Sequence, residues 1–223
     1  MISIVIPTLN EEKNLPYVLK DIEKFFEKKG LEYEVIVVDG YSEDRTVEIA
    51  KKFKAKVLFD EFGKGSALIK GMKAAKGEII ISMDADCSNR VNELELLISG
   101  IKAGYDACFG SRFLQGGGTG DMPLIRKIGN KFFVFLVNIF YGAKYSDLCY
   151  GYRSFKKEAI KKLKLEEKGF GIETEISIKA IKNDLKVLEV PSFEKPRKFG
   201  KGNLKTLSDG LTILKVILKN LFC

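Results

Sequence analysis

The chain has 223 residues and an ordinary apolar content, enough for a two-sided α/β core, with no Pro/Ser-rich linker, repeat or low-complexity tract to divide it. Its formal charge of +8 implies an anionic partner, and the absence of histidine excludes histidine base catalysis. No RNA- or DNA-binding signature accompanies the charge, so a membrane surface or a phosphorylated substrate is expected ahead of nucleic acid.

Taken in chain order, the first apolar run, Ile2-Ser3-Ile4-Val5-Ile6, stops at Pro7-Thr8-Leu9-Asn10-Glu11-Glu12, where a cap-like Asn10 and acidic residues are expected to open a helix. A second run, residues 33–38, stops at Asp39-Gly40-Tyr41-Ser42-Glu43-Asp44-Arg45-Thr46. A third, residues 55–58, leads into Gly63-Lys64-Gly65-Ser66 and another helix. The Gly63 segment lacks the spacing of a P-loop, so Lys64 is read either as a donor contact or as a solvated lysine. A fourth run, residues 78–82, ends at Met83 and then Asp84-Ala85-Asp86, and a fifth lies near 106–110. Strands alternating with amphipathic stretches predict a doubly wound, mainly parallel sheet with all of these loops along its carboxyl edge, where ligands bind.

Beyond Ser111 the character changes. A Gly-rich loop, residues 114–123, runs into a helix from about Leu124 that is basic at its start (Arg126, Lys127, Lys131) and apolar to Tyr141. The acidic pair Glu173 and Glu175 opens a further helix, read either as a solvated helix start or as a sugar-hydroxyl or base group. A last strand, residues 186–190, ends at Pro191. A terminal helix from about Leu204 to Leu221 carries Leu207, Leu211, Leu214, Ile217, Leu218 and Leu221 at helical spacing. The helices 124–141 and 204–221 are read as membrane-facing amphipathic segments as well as packing elements.

Two carboxylates separated by one small residue at the end of a buried strand suit Mg²⁺ or Mn²⁺, ions bound through one or two carboxylates plus substrate phosphates. Asp84 and Asp86 are therefore the candidate metal ligands. The cysteines Cys87, Cys108, Cys149 and Cys223 show no paired spacing and read as free thiols of a reducing compartment, Cys149 packed rather than reactive. With no signal-peptide pattern and no apolar run long enough to span a bilayer, a cytoplasmic protein in peripheral contact with the inner face of the membrane is expected.

In order and spacing, Val5-Ile6-Pro7-Thr8-Leu9-Asn10-Glu11, Val38-Asp39-Gly40-Tyr41-Ser42, Gly63-Lys64-Gly65 and Met83-Asp84-Ala85-Asp86 resemble the motifs of family 2 glycosyltransferases with the GT-A fold. Gly110-Ser111-Arg112-Phe113, Asp147-Leu148-Cys149-Tyr150-Gly151-Tyr152-Arg153 and Arg197-Lys198-Phe199-Gly200-Lys201-Gly202-Asn203-Leu204 resemble the dolichyl-phosphate mannose and glucose synthases. The resemblance implies one glycosyltransferase domain over 1–223, with a donor nucleotide-binding half (1–110) and an acceptor-binding half (111–223).

It further implies nucleotide-sugar contacts at Pro7, Leu9, Glu11, Lys64, Asp84 and Ala85. Asp39 would read a base edge, and Asp86 would be the metal ligand. Acceptor-phosphate contacts follow at Ser111, Arg112, Arg126 and Arg197, the three arginines and Asp86 carrying the chemistry. The implied reaction moves a hexose from a UDP- or GDP-linked donor to a polyprenyl phosphate, with inversion.

The chain departs from the family pattern at Gly40, where many relatives have a second acid, and at Gly202-Asn203, where Ser-Lys is common. It also has Gly171 where mannosyl synthases can carry a lysine. A sugar-hydroxyl acceptor in surface glycan assembly, with Glu173 as base, is the alternative. Further alternatives are a sugar nucleotidyltransferase, whose Gly-rich N-terminal loop with arginine is missing here, and a non-catalytic membrane-recruited binding module, which both aspartates disfavour.

Overall fold

The computed structural model describes residues 1–120, 122–202 and 206–221. In chain order it contains β1 (Ile2–Thr8), α1 (Leu15–Lys29), β2 (Tyr33–Asp39), α2 (Thr46–Lys52), β3 (Lys56–Phe59), α3 (Lys64–Ala74), β4 (Ile79–Ser82), α4 (Leu94–Lys102) and β5 (Ala107–Ser111). Then come β6 (Gly118–Thr119), α5 (Leu124–Tyr141), β7 (Arg153–Lys156), α6 (Lys157–Leu163), α7 (Ile172–Lys182), β8 (Val187–Pro191), β9 (Phe193–Glu194) and α8 (Thr206–Lys219).

Seven strands form one sheet in the order β3-β2-β1-β4-β7-β5-β8. All neighbours are parallel except β7, which runs antiparallel between β4 and β5. The doubly wound, mainly parallel sheet is thus as expected. β7 was not foreseen: Arg153-Ser154-Phe155-Lys156 is short, and its Arg and Lys hide the strand pattern.

Alternation along the strands sends side chains to two cores. On one face Val5, Ile36, Val38 and Ile80 pack with α3, α5, α7 and α8; on the other, Ile4, Ile6, Val37 and Ile81 pack with α1 and α4. Each fully buried Ile or Val contributes about 1.5–3 kcal/mol. α3 lies close on the sheet because Gly71 has no side chain: a Cβ there would stand 2.3 Å from Val5 Cγ1.

The first helix begins later than expected. Asn10 takes a left-handed conformation (φ 56°), which Asn tolerates. It joins two loops, donating from its N–H to Ser42 Oγ (2.8 Å) and accepting Glu43 N–H at Oδ1 (2.9 Å). The helix follows at Leu15, with Pro16 in its first turn. The expected terminal-helix start at Leu204, the motif residue Asn203, the loop residue Asp121 and the thiol Cys223 lie outside the described residues.

Candidate active site

The carboxyl ends of β1, β2 and β4 bring their loops side by side, as the pairing Thr8↔Asp39 and Val5↔Ser82 requires. After β4, Asp84 N–H donates to Asn89 Oδ1 (2.8 Å), and Asp86 Oδ1 accepts Ser88 N–H (3.0 Å). These bonds turn the chain so that the two carboxylates meet different cations. Lys64 Nζ lies 2.9 Å from Asp84 Oδ1 and 2.9 Å from Glu173 Oε1. Burial would lower the Lys64 pKa, but the two carboxylates raise it above the ordinary lysine value.

Arg197 Nη1 stands 3.5 Å from Asp86 Oδ2, its Nη2 pairs with Glu11, and its Nε donates to Phe199 O (2.7 Å). The segment carrying Arg197 is held over the Asp84 loop by backbone bonds, Lys195 N–H to Ser88 O (2.8 Å) and Lys198 N–H to Asp86 O (3.2 Å). Asn14 holds it from the other side, exchanging side-chain bonds with the N–H and carbonyl of Phe199. Leu9, Asn14, Asp44, Arg197, Phe199 and Lys201 help line a cleft of about 320 Å³ beside this cluster.

Gly63-Lys64-Gly65 is a clasp. A Cβ on Gly65 would stand 2.3 Å from Glu167 O, and Ser66 N–H donates to Lys168 O (3.1 Å). This close approach seats Lys64 between α3 and α7, so the solvated-lysine alternative is set aside. Gly151 completes the contact: a Cβ there would lie 3.1 Å from Glu173 Oε1 and 3.2 Å from Lys64 Nζ. Its carbonyl accepts Ser82 Oγ–H (2.6 Å).

Several expected roles change. Glu173 and Glu175 are both buried, so the solvated helix start does not apply. Glu173 faces Lys64, whereas Glu175 accepts Glu166 N–H (3.0 Å) and Glu167 N–H (2.9 Å) and pairs with Lys179, which makes it a loop anchor. Arg112 is buried in a bidentate pair with Asp147 (Nε–Oδ2 2.7 Å, Nη2–Oδ1 2.9 Å) and reaches Glu194 at 3.0 Å. Its guanidinium is committed to carboxylates, which raise its pKa despite burial, and it is no open phosphate clamp. Ser111 is likewise buried, sharing a bond with Ser146 Oγ (2.6 Å). Arg126 stands at the α5–α8 junction, where Nε donates to Thr206 Oγ1 (3.2 Å).

Asp39 is fully buried beneath the second loop. Oδ2 accepts Thr8 Oγ1–H (2.9 Å) and Ser42 Oγ–H (2.7 Å), and Oδ1 accepts Ser42 N–H (2.7 Å). Pro7 precedes Thr8, the last residue of β1, and Leu9 is exposed at the cleft; Ala85 packs inward between the two aspartates.

Sequence reasoning passed over Asn14, Asn89 and Arg153. Arg153 is fully buried and makes no ion pair with a carboxylate among the described residues: it donates to Leu148 O (2.8 Å), Tyr150 O (2.8 Å) and Glu173 O (2.8 Å) and lies over the Phe109 ring. Burial lowers its pKa. It sets the 147–152 loop and the start of α7, and its signal was its place at the end of the Asp147–Arg153 motif. Cys87, Cys108 and Cys149 are free thiols, and burial pushes Cys149 up to about 12, as fits a packed side chain.

Among the described residues no group of three or more Asp, Glu, Cys or His side chains could hold a metal. Asp84 and Asp86 nevertheless fit a divalent ion whose remaining ligands are phosphate oxygens and water, since such ions draw one or two carboxylates from a protein.

Residues 3–164 match the family described as Glycosyl transferase family 2. The chain is 35% identical over 212 residues to the "Dolichol-phosphate mannosyltransferase" of Pyrococcus furiosus, covering 92% of this chain and 59% of that protein. It is 32% identical over 222 residues to the "Low-salt glycan biosynthesis hexosyltransferase Agl6" of Haloferax volcanii, covering 98% of this chain and 53% of that protein. The chain therefore spans little more than half the length of either relative.

Among solved structures, glucosyl-3-phosphoglycerate synthase of Mycobacterium tuberculosis, in complex with Mn²⁺, uridine diphosphate and phosphoglyceric acid, superposes with a TM-score of 0.78 at 20% identity. That match covers 99% of this chain and 78% of that one. At this identity the likeness shows the fold, and it is the expected GT-A arrangement.

Proposed function

The chain belongs to glycosyl transferase family 2, and from that premise we propose that it moves one hexose, with inversion, from a nucleotide diphosphosugar to a polyprenyl phosphate of the dolichyl type. The observation that carries this reading is the paired charge at the sheet edge, Asp84 against Lys64 and Asp86 against Arg197. A departing nucleoside diphosphate concentrates negative charge, and preorganised cations beside it lower the barrier. The first relative's name and the uridine diphosphate complexes with Mn²⁺ or Mg²⁺ of the structural neighbours support the donor, the ion and the acceptor class.

Asp86, with Asp84, would hold the Mg²⁺ or Mn²⁺. When bound, the ion supplies Lewis-acid neutralisation of the leaving diphosphate. Lys64 holds the Asp84 and Glu173 carboxylates in place, 2.9 Å from each. Arg197, on a loop that lies across the cleft, exchanges its carboxylates for phosphate oxygens, a geometry guanidinium suits. Pro7, Leu9, Glu11 and Ala85 shape the donor pocket, and Asp39 offers its remaining Oδ1 lone pair to the base. Arg126 meets the acceptor phosphate. Arg112 and Ser111 act as positioning residues, holding the Asp147 loop that presents Gly151 to Lys64.

The acceptor needs no base. A phosphate monoester is ionised at neutral pH; its oxygen bonds to the anomeric carbon as the bond from that carbon to the diphosphate breaks, and the electron pair leaves with the diphosphate. Two features favour this over a hydroxyl acceptor: the chain has no histidine, and Glu173 Oε1 is already engaged by Lys64 at 2.9 Å. The enzyme works in the cytoplasm, peripheral to the inner membrane face. The test is transfer of radiolabel from UDP-glucose, UDP-N-acetylglucosamine and GDP-mannose to dolichyl phosphate, with Mn²⁺ and with EDTA. Metal-dependent label in the lipid phase is expected; donor hydrolysis or label in hydroxyl acceptors alone would overturn the acceptor.

A further inference from the structure

A second cleft, of about 400 Å³, opens between α3 and α6 over β4, a volume within the range of small-molecule sites. It is not part of the donor cleft. α3 starts with Lys64 at the carboxyl edge, and Met72 lies on it about 12 Å further along the axis, toward the amino ends of the strands. Met72 and Ile80 form the floor, 3% and 1% exposed, and Ile69, Ile160 and Leu165 are its half-buried walls.

Every other lining residue is a lysine: Lys73, Lys157, Lys161 and Lys164. The sequence puts them there by helical spacing. Ile69, Met72 and Lys73 on α3, and Lys157, Ile160 and Lys161 on α6, follow the i, i+3, i+4 pattern, so each helix turns one stripe toward the cleft. Lys164 caps α6 in a left-handed turn and closes the rim. Among the described residues a single carboxylate pairs with these four, Glu158 with Lys161 at 2.7 Å, and both side chains stand mostly in water. Lys157 is held at the mouth by donating to Lys76 O (3.3 Å).

Four cations around an apolar floor select for two properties at once. A bare anion would meet the lysines and leave the floor wet. A neutral apolar molecule would cover the floor and leave the lysines unmatched. A molecule with an apolar body and one anionic head satisfies both.

We propose that the α3–α6 cleft is a second ligand site, for a small amphiphilic anion whose body lies on Met72 and Ile80 and whose carboxylate or phosphate head meets the lysine rim. The ligand would rest on the same two elements that seat Lys64. One is α3 itself; the other is the chain after Leu165, where the Glu167 and Lys168 carbonyls approach Gly65 and Ser66. The inference is independent of the reaction proposed above and is tested without donor or metal.

The chain has four methionines, and Met72 alone among them lines the cleft, so its carbon-13 methyl resonance reports the site. Met83, buried in the other core, is the internal control. The protein is titrated with octanoate below its micelle concentration, with acetate as head without tail, and with 1-octanol as tail without charge.

The expected result is a saturable shift of the Met72 methyl with octanoate while Met83 stays in place, with octanoate binding at least about fivefold tighter than acetate or 1-octanol. Lys73→Gln with Lys164→Gln, both at exposed positions, should weaken octanoate on the order of fivefold. No shift at Met72, equal binding of octanoate and 1-octanol, or unchanged affinity in the lysine variant would overturn the proposal. So would equal binding of acetate, which would reduce the rim to a simple anion trap. A shift of Met83 in step with Met72 would also overturn it, as general loosening of the fold.

Discussion

The carboxyl edge of the sheet and the α5–α8 face spend stability in opposite ways. At the edge, charges are drawn out of water and each cation is set between two carboxylates: Lys64 with Asp84 and Glu173, Arg197 with Glu11 and Asp86, Arg112 with Asp147 and Glu194. On the outer face, apolar side chains that could have been buried are left in solvent. Within the edge itself the two arginines differ as sharply. Arg112 is buried and bound to elements of the body, whereas Arg197 rides on a loop laid over the cleft. Both occupy motif positions, and only the structure separates the one locked in the body from the one carried on the loop over the cleft.

The largest expected effect separates chemistry from folding: Asp86→Ala should cut transfer by about 10²–10³-fold or more while the melting transition moves little, because its ion pair is partly exposed. The arginine contrast comes next. Arg112→Ala strands Asp147 and should destabilise by about 3–5 kcal/mol in urea unfolding. Arg197→Ala should leave the urea midpoint nearly unchanged and cost activity instead. If both variants lose only activity, the buried-pair account of Arg112 fails.

A smaller effect is expected at the clasp, where Gly65→Ala forces a Cβ against Glu167 O and should cost about 1–3 kcal/mol and loosen Lys64. The smallest concerns alkaline pH. Burial raises Cys108 and Cys149 from 9.0 to about 12, so the native state keeps protons that the unfolded chain releases. Their contribution is fully present below about pH 9 and is lost as pH rises toward 12. Urea midpoints should therefore fall between pH 8.5 and about 10.5, less so in Cys149→Ala. A flat profile would remove the two thiols from this account.

Much of the edge was legible in the chain. Strand-then-loop order places Pro7, Asp39 and Asp84 on one rim of a parallel sheet by topology alone. What could not be read was which polar side chains face each other. Lys64 looks the same in sequence whether solvated or buried between two carboxylates, and its burial follows from the contact of Gly65 with residue 167, across more than a hundred residues. Glu173 and Glu175 sit two apart on one helix turn, yet α7 turns one toward Lys64 and the other toward the 166–167 backbone. β7 escaped because a four-residue strand bearing Arg153 and Lys156 carries no clear alternation. The apolar character of α5 was legible, but not which of its side chains stay exposed, which depends on α8 packing beside it.

The central claim is that Asp84 and Asp86 hold a divalent ion together with the donor's diphosphate. The most direct measurement is the Mn²⁺ electron paramagnetic resonance signal during titration of the protein, with and without UDP or GDP, for the unmodified chain and for Asp86→Asn. The account predicts Mn²⁺ uptake that depends on the nucleoside diphosphate and weakens at least about tenfold in Asp86→Asn. Undiminished uptake in the variant, or uptake indifferent to the nucleotide, would contradict it.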